Sequence, residues 1–142
     1  MKFHYKKFVV QSRPGGPTSV VSRPVIPVHL GFGTHRVGCE ALVDSGADYS
    51  IFHAQIGEAI GLEIRKGQRM LFAGVAGVTQ EGFRHSVRLG VGKWRLPCDV
   101  VFAYGLKIPY GILGQAELFK RFVIVFDREA GWIGLRPRRS AP

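Results

Sequence analysis

A short apolar run enters a polar turn at Asp44, and this junction limits what the chain can fold into more than any other feature. The apolar residues 41–43 are typical of a strand that is buried on both faces of a sheet. Such a strand brings the Asp44 carboxylate close to a low-dielectric interior, where an unpaired charge is costly. Asp-Ser-Gly by itself is usually a surface turn, but here the core pattern resumes at Ile51. Folding alone therefore explains Asp44 poorly.

The turn continues through Ser45, Gly46 and Ala47, and a related motif follows much later in the chain. Ser45 offers a hydroxyl, and Gly46 offers a backbone that can turn tightly. The later motif is an apolar pair and a glycine: Ile112, Leu113 and Gly114. Together the motifs resemble the two signatures of retropepsin-like aspartic proteases, a catalytic Asp-Thr/Ser-Gly turn and a later apolar pair followed by glycine. In that family the glycine lets a strand pass close to the catalytic turn.

The resemblance covers residues 25–135 and implies a mainly β, single-domain retropepsin-like acid protease fold. In this fold a closed, orthogonal β-barrel carries one or two short helices, and the protein is dimeric. The 142 residues, 46% of them apolar, suffice for one domain with a single core. Residues 1–24 would form an N-terminal extension of unknown role, and residues 136–142 a basic C-terminal tail.

The resemblance also implies which groups act in catalysis. A bilobal aspartic protease needs an aspartate from each half, but this chain has one Asp-Ser-Gly and no internal repeat. Asp127 lies in a predicted hairpin turn and is not a second copy. The second carboxylate would come from a second chain, so that two copies of Asp44 meet at a two-fold axis. The pair would share a proton and activate a water to attack a peptide bond, without a metal or an organic cofactor.

Residues 70–79 and 83–90 read as two β-like arms around a glycine-rich tip. By resemblance this hairpin is the flap that covers a bound peptide, and its tip consists of Gly74, Val75, Ala76 and Gly77. Glycines tolerate the unusual dihedral angles that such a hinge requires. An ordinary hairpin with glycine turns, or a tip at residues 79–82, explains the same pattern.

The remaining pattern predicts further strands and two short helices. Strands are predicted at residues 25–31, 35–43, 95–102, 108–114, 123–126 and 132–135. Pro27 indicates an edge or irregular position in the first of them. A short helix is predicted over residues 53–61, where Gly61 ends it. A second helix over residues 115–122 would turn three apolar side chains to the core: Leu118, Phe119 and Phe122.

Two parts of the chain depart from the family pattern. Many retroviral members continue the second signature with Arg and then Asn or Asp, whereas this chain has Gln115 and Ala116, so the ion pair of those enzymes is absent. Residues 1–24 match no assigned segment, and they would add a strand to the dimer, block the cleft before processing, or be disordered. Disorder is the commonest state of an unmatched terminus.

The formal net charge of +10 needs an explanation beyond a peptide-cleaving cleft. A nucleic acid or an anionic membrane surface would fit such a balance. However, the sequence shows no regular basic stripe interleaved with exposed aromatic residues. Solubility or the steering of acidic substrates is therefore favoured over nucleic-acid binding.

The cysteines and histidines do not form a metal-binding pattern. Cys39 and Cys98 lie far apart, without a Cys-x-x-Cys pair or histidines at ligand spacing, which argues against zinc and leaves a disulfide open. No secretory signal is recognisable, and no apolar run is long enough to span a bilayer. These observations predict a soluble, cytoplasmic protein without a membrane span.

Three functions remain open on this basis. The favoured one is a homodimeric aspartic endopeptidase that hydrolyses peptide or protein substrates through an Asp44 pair. The second is a retropepsin-like dimerisation or binding module with weak or no catalysis, because the turn alone does not ensure a competent dyad. The third is a basic, β-rich nucleic-acid-binding protein in which Asp44 is merely structural.

Overall fold

The computed structural model describes residues 1–73 and 77–139, and β-strands dominate this part of the chain. The strands in chain order are β1 (Lys2–His4), β2 (Lys6–Gln11), β3 (Thr18–Arg23), β4 (Val25–Phe32), β5 (His35–Val43), β6 (Ile51–His53), β7 (Gln68–Ala73), β8 (Thr79–Val91), β9 (Trp94–Ala103), β10 (Gly111–Leu113), β11 (Phe122–Asp127) and β12 (Trp132–Pro137). The helical segments are α1 (Ala54–Ala59), a 3-10 turn (Ile64–Lys66) and a π-helical turn (Gln115–Phe119). The prediction of a mainly β fold with short helices is confirmed.

Seven strands form one sheet that closes on itself. Their order is β4-β5-β10-β6-β9-β8-β7, and β4 also pairs with β8 over residues 29–31. This pairing joins the first strand of the order to the sixth, so six strands close into a barrel and β7 stays outside it. Large buried side chains fill the interior, among them Ile26, Leu30, Phe52, Leu89, Phe102 and Leu113. The predicted closed barrel is therefore present.

The hairpin of β4 and β5 leads to the Asp44 turn. The two strands pair antiparallel along their whole length, and the turn between them contains Gly33 at a φ of 56°. Pro27 has a strand partner on one side, in β5, because β8 pairs with β4 only over residues 29–31. Proline lacks the N–H that a second ladder would need. The prediction of an edge or irregular position therefore holds for Pro27 itself, although β4 has a partner on each side over residues 29–31.

A second, three-stranded sheet joins the two ends of the chain in the order β1-β12-β11. The amino group of Met1 donates to the carbonyl of Leu135 at 2.9 Å, and β1 pairs antiparallel with β12. The β11–β12 hairpin turns at Asp127, whose Oδ1 accepts from the Ala130 amide at 2.8 Å. The reading of Asp127 as a hairpin residue is confirmed.

Of the alternatives left open for residues 1–24, disorder is excluded, because this segment forms three strands. Besides β1, this segment contains a separate two-stranded hairpin of β2 and β3. An isolated hairpin is marginal in water, but this one docks on the barrel through Tyr110. The guanidinium of Arg23 donates to the Tyr110 hydroxyl at 2.7 Å, and the Phe8 ring packs edge-on against the Tyr110 ring with centroids 5.4 Å apart. An ion pair between Lys6 of β2 and Glu40 of β5 is a second contact between the hairpin and the barrel.

The helical segments match the predictions only in part. α1 follows His53, whose Nδ1 accepts from the Gln55 amide at 3.1 Å, and the chain leaves it through Gly61 at a φ of 91°. The second predicted helix is present as a π-helical turn whose helical backbone continues through residues 120–121. It ends one residue earlier than predicted, because Phe122 pairs with Pro137 and begins β11. No helix within residues 1–73 and 77–139 has the length and apolar character needed to cross a membrane.

One strand prediction needs correction, and one alternative position of the hairpin tip is excluded. The strand predicted over residues 108–114 is confined to β10, because Pro109 cannot donate to a ladder and residues 108–109 are exposed. A hairpin tip at residues 79–82 is excluded, because these residues lie within β8 and pair with β7. The two arms predicted on either side of the glycine-rich tip are confirmed as β7 and β8.

We expect Tyr110→Phe to lower the free energy of unfolding by about 1 kcal/mol, because it removes the acceptor of the Arg23 hydrogen bond and keeps the ring against Phe8. Chemical denaturation measures this difference. Tyr5→Phe is the matched control, since the Tyr5 hydroxyl makes no hydrogen bond to the described residues. Equal effects of the two substitutions would contradict the docking role of Tyr110.

Candidate active site

Asp44 lies at the end of β5, where that strand runs parallel to β10. Val43 pairs with Leu113, and the Asp44 amide donates to the Leu113 carbonyl at 3.1 Å. Ala41 and Val43 are buried, so alternation along the strand leaves Asp44 half-buried at its end. The sheet therefore fixes the backbone of Asp44 from both the preceding strand and its neighbour.

Two hydrogen bonds between residues close in sequence hold the Asp44 turn. The Gly46 amide donates to Asp44 Oδ1 at 2.8 Å, and the Ala47 amide donates to the Asp44 carbonyl at 3.3 Å. The other carboxylate oxygen, Oδ2, accepts no hydrogen bond from the described residues. A carboxylate fixed by one oxygen has a defined orientation and keeps the other oxygen available to a ligand.

The second signature holds the same turn from the other side. The Gln115 amide donates to the Ala47 carbonyl at 2.8 Å, and the Ala116 amide donates to the Asp48 carbonyl at 2.9 Å. A Cβ on Gly114 would lie 2.4 Å from the Tyr49 carbonyl oxygen and 2.8 Å from the Ala47 carbonyl oxygen. Only glycine permits this approach. The structure thus brings Ile112, Leu113 and Gly114 against the turn formed by Asp44, Ser45, Gly46 and Ala47.

Ser45 and Gln115 meet through the backbone of the turn. Ser45 is exposed, and its hydroxyl makes no hydrogen bond to the described residues. Its carbonyl accepts from Gln115 Nε2 at 2.6 Å. Directly after the second signature, a neutral side chain therefore braces the Asp44 turn.

Sequence reasoning did not identify Ser50 as part of the site. Ser50 is fully buried, and its Oγ accepts from the Gly114 amide at 3.1 Å. A hydroxyl is needed here, because the buried amide would otherwise lose its partner. The sequence offered one signal for this role: Ser50 is a polar residue directly before the apolar residues of β6 and shortly after the Asp44 turn.

A cleft of about 720 Å³ opens beside the turn, and Asp44 is one of its lining residues. Its polar lining side chains are those of Asp44, Asp48, Tyr49, Gln80 and Lys107. Apolar side chains of β6, β7, β10 and the loop before β10 supply much of the rest. These apolar side chains are Ile51, Leu71, Phe72, Leu106, Ile108 and Ile112. A mostly apolar cleft of this size with a few polar groups is typical of a ligand site.

The arms of the predicted flap border this cleft. β7 and β8 pair from Gln68 with Arg84 up to Ala73 with Thr79, and the β7 residues 71–73 and Gln80 of β8 line the cavity. Gly77 has a φ of 71°, and no atom lies within 4 Å of the position of a Cβ. Gly74, Val75 and Ala76 lie outside the described residues. The hairpin is thus where the prediction put it, and the role of its tip stays a prediction.

The two thiols lie apart from this cleft. Cys39 and Cys98 are free, so the open question of a disulfide is answered for this structure. Burial raises the pKa of Cys39 to about 11 and that of Cys98 to about 12, and nearby carboxylates add to both shifts. Both thiols are therefore protonated at neutral pH and poor nucleophiles. No cluster of three or more His, Cys, Asp or Glu side chains within residues 1–73 and 77–139 could hold a metal ion.

The sequence and the fold together identify the family. Residues 26–116 match the sequence profile of the family described as "Aspartyl protease", and this range includes both signatures. The chain therefore belongs to the aspartyl protease family. No curated protein sequence matches the chain significantly.

Solved structures show the same retropepsin-like fold. A retropepsin-like aspartic protease from Rickettsia conorii is 14% identical with a TM-score of 0.60, covering 95% of this chain and 92% of that one. The retroviral protease-like domain of Ddi1 from Leishmania major is 23% identical with a TM-score of 0.52, covering 79% and 88%. The EIAV protease, solved with the inhibitor HBY-793, is 23% identical with a TM-score of 0.51, covering 66% and 82%.

We expect Gly114→Ala to destabilise the chain by about 1–3 kcal/mol, because a Cβ would press against two backbone carbonyls that cannot move without opening the Asp44 turn. Thermal or chemical unfolding measures the loss. Gly105→Ala is the matched control, since its Cβ would meet no atom within 4 Å and its φ is not positive. If both variants unfold alike, the close passage at Gly114 is not important for stability.

Proposed function

We propose that this chain is an aspartic endopeptidase whose active site is completed by a second copy of the same chain. The observation that carries the proposal is the Asp44 carboxylate, held by the Gly46 amide through one oxygen and lining a mainly apolar cleft of about 720 Å³. Membership in the aspartyl protease family supports the reaction class. The proposal extends this class to a specific residue and a specific assembly.

The argument for a second copy rests on the number of aspartates. A general acid and a general base are both required, and the chain carries one Asp-Ser-Gly turn. Asp127, the other aspartate considered from the sequence, is committed to the β11–β12 turn. A two-fold axis makes a residue near it meet its own copy, so one Asp44 per chain yields a pair. The exposure of Ser45 fits a hydroxyl whose partner lies in the second copy.

The proposed mechanism follows from this pair. Two carboxylates in contact cannot both ionise cheaply, so they share one proton and titrate together. The ionised Asp44 removes a proton from a water held between the two. The resulting hydroxide attacks the carbonyl carbon of the peptide bond, while the protonated Asp44 stabilises the oxyanion that develops. The Asp44 pair then returns a proton to the leaving amine, and the two carboxylates again share one proton.

The cleft suits an extended peptide. Its apolar side chains offer contacts to the side chains of a substrate, and the β7–β8 hairpin borders it on one side. In this proposal Gly74, Val75, Ala76 and Gly77 form the tip that closes over the peptide and excludes water from the aspartates. The positive φ of Gly77 supports a hinge role, because side-chain-bearing residues rarely adopt that conformation.

We also propose a cytoplasmic location. Cys39 and Cys98 are both free, and such thiols persist in a reducing compartment. The raised pKa of each thiol further protects it from oxidation.

Asp44→Asn should abolish peptide hydrolysis while the fold is retained, because asparagine keeps an oxygen for the Gly46 amide and removes the ionisable group. We expect a loss of about three orders of magnitude or more in kcat, since both members of the pair are lost at once. Hydrolysis of a quenched fluorescent peptide, measured from acid to neutral pH, checks this. Circular dichroism confirms the fold, and Asp48→Asn is the matched control for a change of charge in the same cleft. A folded Asp44→Asn chain with full activity would refute the assignment.

Activity should depend on dimer formation. On dilution through the dimer dissociation constant, the specific activity should fall together with the dimer fraction seen by analytical ultracentrifugation. Ser45→Ala should move both curves to higher concentration, because a hydrogen bond between the copies is worth about 1 kcal/mol for each hydroxyl. A chain that stays monomeric and keeps its specific activity on dilution would contradict the assembly.

A further inference from the structure

Five basic side chains surround a set of grooves next to the candidate active site. They come from the end of the π-helical turn and from the segment where β12 ends: Lys120, Arg121, Arg136, Arg138 and Arg139. All five are exposed. They account for much of the net charge of +10, which a peptide cleft by itself does not require.

The grooves form a continuous path that starts at the cleft. Asp48 and Tyr49 line both the cleft and a groove of about 590 Å³. That groove shares Lys120 and Arg138 with a further groove of about 460 Å³. Arg139 joins the latter to a third groove of about 490 Å³. A segment of polypeptide that leaves the cleft can therefore lie along these basic side chains without a break.

None of the five cations of this path takes part in an ion pair with the described residues. The ion pairs among the described residues use Glu40, Glu63, Glu81 and Asp99. Arg121 donates to the Pro97 carbonyl at 3.0 Å and Arg138 to the Phe119 carbonyl at 3.2 Å, so these two guanidinium groups are positioned by neutral acceptors. Asp48 is the one carboxylate among the described lining residues, and it lies at the end nearest the cleft.

We propose that this basic path binds an acidic segment of the substrate, located beyond the residues that occupy the cleft. The inference rests on the proposed function and specifies its substrate class as proteins with an Asp- or Glu-rich stretch near the cleaved bond. The complementary charge would speed encounter and slow dissociation of such substrates.

A nucleic acid fits this surface less well. Binding of single strands relies on aromatic faces on which bases stack. Trp94 is the tryptophan of the grooves, and its ring is engaged on one side by the Lys93 ammonium, 5.6 Å from the ring, and edge-on by Phe122 at 6.2 Å. Trp94 is also half-buried, as is Phe119, and Phe122 is buried, so Tyr49 is the one exposed aromatic ring among the described lining residues. The continuity with the peptide cleft likewise favours a polypeptide.

The test compares two fluorogenic peptides with the same cleaved core. One carries an extension of Asp and Glu, and the other carries a neutral Gly-Ser extension of the same length. We expect kcat/KM of the full chain to be about tenfold higher for the acidic peptide at low salt, and the preference to shrink at high salt. In the double variant Lys120→Gln/Arg139→Gln, whose side chains make no hydrogen bond to the described residues, the preference should fall by about fivefold.

The matched control is Lys7→Gln/Arg13→Gln, which removes the same charge from the N-terminal hairpin and its turn. It should keep the preference, whereas an equal loss in both double variants would show a net-charge effect and overturn the proposal. Fluorescence anisotropy of the labelled acidic extension alone provides a readout that needs no catalysis. The proposal is supported if binding of the labelled acidic extension is weakened by Lys120→Gln/Arg139→Gln and not by the control. Failure of the chain to cleave either peptide would refute the proposed function separately. Tighter binding of a single-stranded RNA of equal charge would overturn the choice of ligand.

Discussion

The parallel pairing of β5 with β10 is the interaction on which the rest of the site depends. It sets Val43 beside Leu113 with both strands running in the same direction, so the two signatures emerge at the same end of the sheet. Parallel neighbours need a long crossover, and here the connection contains the β7–β8 arms that border the cleft. The backbone at Gly114 then packs directly against the turn, so close to the Tyr49 and Ala47 carbonyls that a side chain on residue 114 would collide with both.

This arrangement also explains how a small chain can fold as one unit and still contain only one of the two proposed catalytic carboxylates. In the proposed assembly, each chain would supply one carboxylate, oriented by the Gly46 amide, and an apolar cleft that borders it. The basic side chains lie in grooves that continue from this cleft. The proposed basic surface and the proposed catalytic site are thus adjoining but separate, so the proposal predicts that selectivity for acidic substrates can be removed without loss of peptide hydrolysis.

Much of the fold could be predicted from the sequence, because local patterns determined it. The alternating β4 and β5, the glycine after α1 and the turn at Asp127 all act over short distances. The helix after Gly114 was predicted, but its π-helical geometry and its end before Phe122 were not, since Phe122 pairs with Pro137 far along the chain and begins β11. The docking of the N-terminal hairpin depends in the same way on the distant Tyr110. In the site, the Asp44 turn and Gly114 were recognised as motifs, whereas Ser50 and Gln115 act through contacts that no local pattern reveals.

The central claim, that one active site requires Asp44 from two copies, is tested most directly by mixing subunits. Wild-type and Asp44→Asn chains are combined at a fixed total concentration well above the dimer dissociation constant, and peptide hydrolysis is measured after exchange. If both copies contribute, activity falls with the square of the wild-type fraction, so an equal mixture retains about a quarter of the activity. Activity that falls only in proportion to the wild-type fraction would show that each chain works alone and would contradict the account.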